Sequence, residues 1–233
     1  MPQAALILAS LLALHPPLAL SGKVVPSRAG LQAASTQTTK DLSGDAVIRT
    51  RVVVEEVIAA SYPELKGADI RIKPFRSRSD YFKTSFGILQ FFFVRMRYLV
   101  FVNPRVFELQ APEGGIRAIV AHELAHIAYF KKRNRVRLLG LARLTSRRFT
   151  AEFERRSDLR AISLGYGEGL KDYRRWLYRN VPASKLAEKR RNYFSPEEID
   201  AIGSALRARP ELLEYWLKRV PLSLDGILSV PPR

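Results

Sequence analysis

A largely apolar segment with two histidines four residues apart constrains this chain more than any other feature. Residues 116–128 read IRAIVAHELAHIA, and the motif His-Glu-Leu-Ala-His occupies positions 122–126. Because apolar residues surround the motif on every side, the segment predicts a buried helix. Two histidines at this spacing lie one turn apart on one helix face, where their rings can bind one metal ion. A buried histidine pair needs such a partner, since burying an unpaired polar group costs free energy.

The counts of histidine and cysteine restrict the class of metal site. The 233-residue chain has three histidines and no cysteine, which excludes disulfides, thiolate ligands and a cysteine nucleophile. The third histidine, His15, lies in an apolar N-terminal segment. A catalytic zinc takes three protein ligands and leaves the fourth position open. We therefore expect His122, His126 and a downstream carboxylate to hold zinc, with Glu123 beside them as the general base.

Glu154 is the carboxylate expected to be the third ligand. Glu154 and Asp158 are four residues apart and share one face of a predicted helix. Asp158 is expected to accept the free ring N–H of a ligating histidine and so fix its tautomer. Glu152 is the competing ligand, but it falls with several arginines on the charged side of this helix. That position favours a solvated ion pair instead.

The order of the predicted elements indicates an α+β fold. A helix is expected from Ser43 or Asp45, followed by three or four strands within residues 69–103, where aromatic and β-branched residues dominate. After Pro104 the patterns are helical, and the segment SPEE at 195–198 is a capping box with proline at the first helical position. Strands first and helices after are typical of the α+β class. The other helices are expected at about 112–131, 150–164, 170–178 and 210–219.

The N-terminal residues predict export. The apolar run at residues 4–14 is too short to span a bilayer, which takes about 20 residues. Small residues at 19–21 resemble a signal peptidase site. We predict a signal peptide over residues 1–21, a flexible leader over 22–42 and a single domain over 43–233, located in the periplasm or outside the cell. Retention of the apolar run as an uncleaved membrane anchor is the alternative.

Taken together, the motifs resemble those of the gluzincin zinc metallopeptidases. A strand, a short connection, His-Glu-x-x-His on a buried helix and Glu-x-x-small-Asp on a second helix follow one another over about residues 97–180. The chain looks most like the HtpX-like family, which includes the CAAX prenyl proteases of the Ste type. Ser157 stands where that family has alanine, the interval between the two motifs is short, and the family's multiple membrane spans are missing. A resemblance to the thermolysin-like or the ImmA/IrrE-type peptidases is therefore an alternative interpretation.

The resemblance implies a zincin-like metalloendopeptidase that cleaves a polypeptide substrate. Glu123 is expected to take the proton of the attacking water and to deliver it to the leaving amine. The substrate is expected to lie along an edge strand of the sheet, formed by Tyr98–Val102 or by Ile88–Val94. Tyr166 is expected to stabilise the oxyanion, because no histidine is free for that role. Other tyrosines and several arginines compete with Tyr166 as the donor.

The net charge of +17 supports a second interpretation. Lysines and arginines flank four leucines over residues 131–148, which is the composition of an interfacial helix. The chain could thus be a basic protein that binds an anionic membrane or nucleic acid, with a structural or vestigial zinc site. The presence of Glu123 favours catalysis, since a structural zinc has no use for it. Peripheral contact with an anionic membrane is compatible with both interpretations, and nucleic acid is not favoured.

Overall fold

The computed structural model describes residues 29–86, 96–132 and 146–229, with side chains from residue 42 onward. The predicted signal peptide at 1–21 lies outside these residues, and so does the strand predicted at Ile88–Val94. Most of the basic stretch at 131–148 also lies outside them. Among the helices that are described, none is both long enough and apolar enough to cross a membrane.

A single long helix, α1, spans Ala29–Ser61 and begins earlier than the caps predicted at Ser43 or Asp45. The leader expected to be flexible over 22–42 is therefore helical from residue 29 onward. The physical reason is that no proline interrupts this part of the chain, so nothing stops the helix from extending towards the N-terminus. A 3-10 turn at Pro63–Leu65 follows α1.

Three strands form one mixed sheet in the order β1-β3-β2. β1 spans Asp69–Pro74, β2 spans Phe82–Phe86 and β3 spans Arg97–Val102. β3 pairs in parallel with β1 and antiparallel with β2. The prediction that Tyr98–Val102 is an edge strand is therefore wrong, since β3 is hydrogen-bonded on both sides. Its alternation of buried and partly exposed residues reports a sheet with one buried face, and that pattern does not distinguish a central strand from an edge.

Helices and the turns between them make up the described chain after β3, so the fold is α+β, as predicted. Several of them were not expected, among them one of ten residues before the capping box. In chain order they are α2 Arg105–Glu108, α3 Glu113–Lys132, α4 Arg147–Ala161, α5 Gly167–Asn180, α6 Ala183–Asn192, α7 Pro196–Ala208, α8 Leu212–Lys218 and α9 Leu224–Leu228.

The predicted capping box is confirmed. Ser195 Oγ accepts the main-chain N–H of Glu198 at 3.2 Å, and the Glu198 carboxylate accepts the N–H of Ser195 at 2.8 Å, which completes the capping box of α7. α4 runs into a π-turn at Ile162–Tyr166, within which Gly165 adopts a left-handed φ of 92°. Glycine takes that conformation without a steric penalty, and the chain changes direction there into α5.

α3 lies at the centre of the described structure and is buried on almost every side, as predicted. It contacts α1, β2, α4 and α5. A Cβ atom added to Gly169 of α5 would lie 2.2 Å from the carbonyl oxygen of Gly114 in α3. The two helices therefore touch through their backbones at this point, and glycine at 169 is what lets α5 approach α3 so closely.

Candidate metal centre

α3 presents the two predicted histidines on one face. His122 and His126 are both buried, and their Nε2 atoms lie 3.1 Å apart. The rings are almost perpendicular, with centroids 4.8 Å apart. A nitrogen that carries no hydrogen is only an acceptor, so two such atoms face each other favourably only across a shared proton or a cation.

α4 brings a carboxylate to the same point. One oxygen of Glu154, Oε2, lies 3.1 Å from Nε2 of His122 and 3.3 Å from Nε2 of His126. Each of the three residues offers one ligand atom, and these atoms all lie within 4.8 Å of one another. The structure thus brings His122, His126 and Glu154 together, and this group could hold a metal ion.

Glu152, the competing carboxylate, lies on the outer side of α4. Its carboxylate accepts a hydrogen bond from Nε of Arg148 at 2.9 Å, one turn away on the surface. Residues two apart in a helix project about 200° apart, so Glu152 and Glu154 cannot reach the same point. Arg155, which the sequence places on the charged side, is instead buried and donates to Glu198 at 2.9 Å, which ties α4 to α7.

Asp158 fixes the orientation of His122. The Nδ1–H of His122 donates to Oδ1 of Asp158 at 2.7 Å. Asp158 is fully buried, and it also accepts from Nη2 of Arg174 at 2.8 Å and from the main-chain N–H of Phe194 at 3.1 Å. Burial by itself raises the pKa of Asp158, but the charges of Arg174 and His122 and the hydrogen bonds from His122 and Phe194 together outweigh it and lower the pKa. An ionised Asp158 holds the ring proton on Nδ1 and leaves Nε2 of His122 with a free lone pair.

The electrostatics of the group favour a positive charge at its centre. Burial lowers the pKa of His122, but Asp158 and Glu154 more than compensate and raise it to about 10. Burial raises the pKa of Glu154, but the charge of His126 and hydrogen bonds with both rings hold it well below its usual range. The two Nε2 atoms and the carboxylate oxygen of Glu154 all attract positive charge. Either bound protons or a metal ion can supply that charge.

His126 has two neighbours on α4 that sequence reasoning did not single out. Oγ of Ser157 lies 3.0 Å from Nδ1 of His126. The ring of Phe153 stacks on the imidazole, with centroids 4.5 Å apart and planes inclined by 21°. Both residues fall on the weakly polar face of the helix that carries Glu154. That shared face is the only sequence feature that indicates a role for them.

Glu123 is buried beside the histidines, and its Oε2 atom has no hydrogen-bond partner among the described residues. Burial raises the pKa of its carboxyl group. The neighbouring strand β2 is linked to the same residue, because the hydroxyl of Thr84 donates to the main-chain oxygen of Glu123 at 3.4 Å. A buried carboxylate oxygen without a hydrogen-bond partner calls for an explanation, and a role in proton transfer is one.

Among the contacts of the described residues, none joins Tyr166 to this group, so its predicted role stays a prediction. Its hydroxyl forms a hydrogen bond with Oγ of Ser61 at the end of α1, at 2.9 Å. A different tyrosine, Tyr193, lies beside His122, with ring centroids 5.8 Å apart. Burial and the negative charge of Glu154 raise the pKa of Tyr193 well above its usual value, so its hydroxyl keeps its proton. Tyr193 follows α6, a helix that the sequence did not predict, which is why Tyr193 was missed.

The donor set fits a zinc ion on chemical grounds. Two imidazole nitrogens and one carboxylate oxygen are ligands that zinc accepts, and three protein ligands leave one position open. The carboxylate of Asp158 on Nδ1 of His122 is a partner typical of zinc-binding histidines, and Nδ1 of His126 faces the hydroxyl of Ser157. The residues present therefore suit this ion, and the charges of His122 and His126 also act on the carboxyl group of Glu123, whose pKa they lower against the effect of burial.

No protein-family model matches the chain, and no curated protein or solved structure matches it either. The resemblance to gluzincin peptidases therefore stays a prediction. What can be concluded about function depends on the side chains around His122, His126 and Glu154 and on the chemistry that they support.

Proposed function

We propose that the chain is a zinc-dependent metallopeptidase with a zincin-like fold, in which His122, His126 and Glu154 hold the metal. The observation that carries the proposal is the convergence of two Nε2 atoms and one carboxylate oxygen, together with the buried Glu123 on the same helix, whose Oε2 has no hydrogen-bond partner among the described residues. A purely structural metal site has no use for that fourth group. The order of the two motifs, histidine pair first and Glu-x-x-x-Asp second, supports a gluzincin of the HtpX-like type.

The identity of the metal follows from the ligand types and from Glu123. Two histidines and one carboxylate also bind iron(II) in oxygenases, so the ligand set alone leaves two metals to consider. A carboxylate next to the first histidine in a His-Glu-x-x-His helix is typical of zinc hydrolases, where it serves as the general base. Elemental analysis of the purified chain distinguishes zinc from iron directly.

Glu123 and its surroundings account for the proton transfers of peptide hydrolysis. A zinc ion held by His122, His126 and Glu154 would acidify the attacking water and would polarise the scissile carbonyl group. Glu123 accepts the proton of the attacking water at Oε2 and later delivers it to the nitrogen of the leaving amine. Its buried position excludes competing hydrogen bonds, so Oε2 is available for both transfers.

The polypeptide substrate is proposed to lie along β2. This strand is an edge of the described sheet, it contacts α3, and Thr84 ties it to the main chain of Glu123. An extended peptide that pairs with a sheet edge gains main-chain hydrogen bonds and passes beside the metal group. Tyr193, which lies against His122, replaces Tyr166 as the proposed donor to the oxyanion.

The decisive experiment combines metal analysis with a digestion assay. The purified chain is analysed for bound metals and incubated with a peptide library, before and after treatment with a chelator and after zinc is restored. We expect about one zinc per chain and cleavage that disappears with the chelator and returns with zinc. A wild-type chain that binds zinc tightly but cleaves no peptide in the library would contradict the proposed enzymatic function.

Export is part of the same proposal, because the apolar run at residues 4–14 and the small residues at 19–21 resemble a signal peptide. N-terminal sequencing of the protein expressed in cells tests this point. A mature chain that begins near residue 22 supports export, whereas a chain that still begins with Met1 contradicts cleavage.

A further inference from the structure

The two histidines of the candidate metal centre are oriented by two adjacent residues of α4 with different chemistry. Asp158, an ionised acceptor, binds Nδ1 of His122. Ser157, a neutral hydroxyl, lies 3.0 Å from Nδ1 of His126 and is itself buried. Successive residues of a helix project about 100° apart, so one turn of α4 reaches both rings while Glu154 enters between them.

A second side chain of α4 fixes the plane of the His126 ring. Phe153 lies one helical turn before Ser157, and its ring stacks on the imidazole at 4.5 Å with an inclination of 21°. Rotation of His126 about its χ2 angle would break this stacking and the contact with Ser157 at the same time. The ring is therefore held by a face contact and an edge contact that come from a single helix turn.

We propose that Ser157 and Phe153 are positioning residues for His126, and that Ser157 accepts the Nδ1–H of this ring so that Nε2 faces the metal. This inference rests on the proposed function, because it assumes that the bound ion is zinc. A proton on Nδ1 leaves the lone pair of Nε2 free for the metal, directed towards Nε2 of His122 and Oε2 of Glu154. If Ser157 were the donor instead, Nε2 would carry the proton and could not bind zinc.

Replacing Ser157 by alanine isolates this contact. The change removes the hydroxyl, leaves the stacking of Phe153 in place and uses a residue with high helix propensity. The Nδ1–H of His126 would then be buried without an acceptor whenever Nε2 binds the metal. Loss of a partner of this kind typically weakens metal binding about 10–100-fold.

The first test measures zinc affinity by competition with a fluorescent chelator. Wild type is compared with Ser157→Ala, with Ser157→Thr and with Ser163→Ala. Ser163 is a matched control, because its hydroxyl donates to the carbonyl oxygen of Arg160 at 2.9 Å and not to the metal group. We expect affinity to fall about 10–100-fold in Ser157→Ala, and to stay close to that of wild type in the threonine variant and the control. Equal zinc affinity in wild type and Ser157→Ala would overturn the proposal.

A second set of readouts does not depend on catalysis, and its NMR measurement needs only the wild-type protein. Nitrogen NMR of histidine-labelled wild-type protein distinguishes the Nδ1–H form from the Nε2–H form. We expect zinc-loaded protein to show His126 with its proton on Nδ1, and Ser157→Ala in chelator to unfold at nearly the same temperature as wild type in chelator. A proton on Nε2 of His126 in the zinc-loaded protein overturns the proposal, even if Ser157→Ala does not fold. Neither result depends on peptide cleavage, so failure of the enzymatic proposal would be seen separately.

Discussion

Arg174 donates from Nη2 to both carboxylate oxygens of Asp158, at 2.8 and 3.0 Å, and both side chains are almost completely buried. The same carboxylate holds Nδ1 of His122. α5 therefore supports the metal group indirectly, because Arg174 holds Asp158 and Asp158 in turn holds His122. Among the interactions described, no residue of α5 contacts the three candidate ligands directly.

Substitution of Arg174 by alanine is predicted to destabilise the fold. Removing one partner of a buried ion pair leaves the other charge without compensation, which costs about 3–5 kcal/mol. The free energy of unfolding in urea measures this loss. Arg175→Ala is the matched control, because Arg175 is the next residue and forms an exposed pair with Asp172 at 3.0 Å. We expect the control to change stability by no more than about 0.5 kcal/mol, and equal losses in both variants would contradict the role given to Arg174.

The two glutamates of α4 are predicted to differ in their effect on zinc. Glu154→Ala removes a ligand atom that lies within 3.3 Å of both Nε2 atoms, so bound zinc should be lost. Glu152→Ala removes only the surface contact with Arg148 and should keep zinc. Elemental analysis after dialysis measures both. Retention of zinc in Glu154→Ala together with loss in Glu152→Ala would show that the wrong face of α4 has been assigned to the metal.

The tyrosine beside His122 is predicted to matter for catalysis more than the one after Gly165. Removing one donor to an oxyanion costs about 100–1000-fold in kcat. Tyr193→Phe should therefore lower kcat strongly and leave zinc content intact. Tyr166→Phe loses only the hydrogen bond to Ser61 and should keep kcat close to that of wild type. Steady-state kinetics on a cleaved library peptide decide the matter, and the reverse order would restore Tyr166 as the donor.

An ion pair away from the metal group is predicted to make stability depend on pH. Lys189 donates to Asp80 at 2.7 Å. Burial raises the pKa of Asp80, but Lys189 and two serine hydroxyls outweigh it, so the pKa lies below the ordinary value of 3.8. Because the pKa of Asp80 is lower in the folded chain than in the unfolded chain, its ionised form stabilises the fold at pH values above the unfolded pKa. This stabilisation is lost as the pH falls through the folded pKa.

The matching experiment compares wild type with Asp80→Asn in urea at several pH values. We expect a constant difference in the free energy of unfolding between pH 5 and pH 7, which shrinks as the pH falls below about 4. A difference that stays constant down to pH 2 would show that the charge of Asp80 does not stabilise the fold.

The sequence predicts the parts of this structure that depend on local spacing. The burial of α3, the one-turn separation of His122 and His126, and the position of Glu154 on the inner face of α4 all follow from the helical period. The capping box of α7 is local in the same sense. These features need no knowledge of how distant segments pack.

The features that were missed depend on contacts between distant segments. Strand order is decided by pairing, so alternation within β3 did not show that it lies between β1 and β2. Arg174 and the main-chain N–H of Phe194 reach Asp158 from sequence separations of 16 and 36 residues. Tyr193 comes to His122 through the turn after α6. No local pattern encodes such contacts, because each is set by the packing of several helices at once.

The variant Glu123→Gln tests the central claim most directly, because it keeps the shape of the side chain and removes its ability to take up a proton. Zinc content, circular dichroism and peptide cleavage are measured side by side on this variant and on wild type. The account predicts about one zinc per chain and the same fold in both proteins, with cleavage in wild type alone. Equal rates of cleavage in the two proteins at equal zinc content would contradict it.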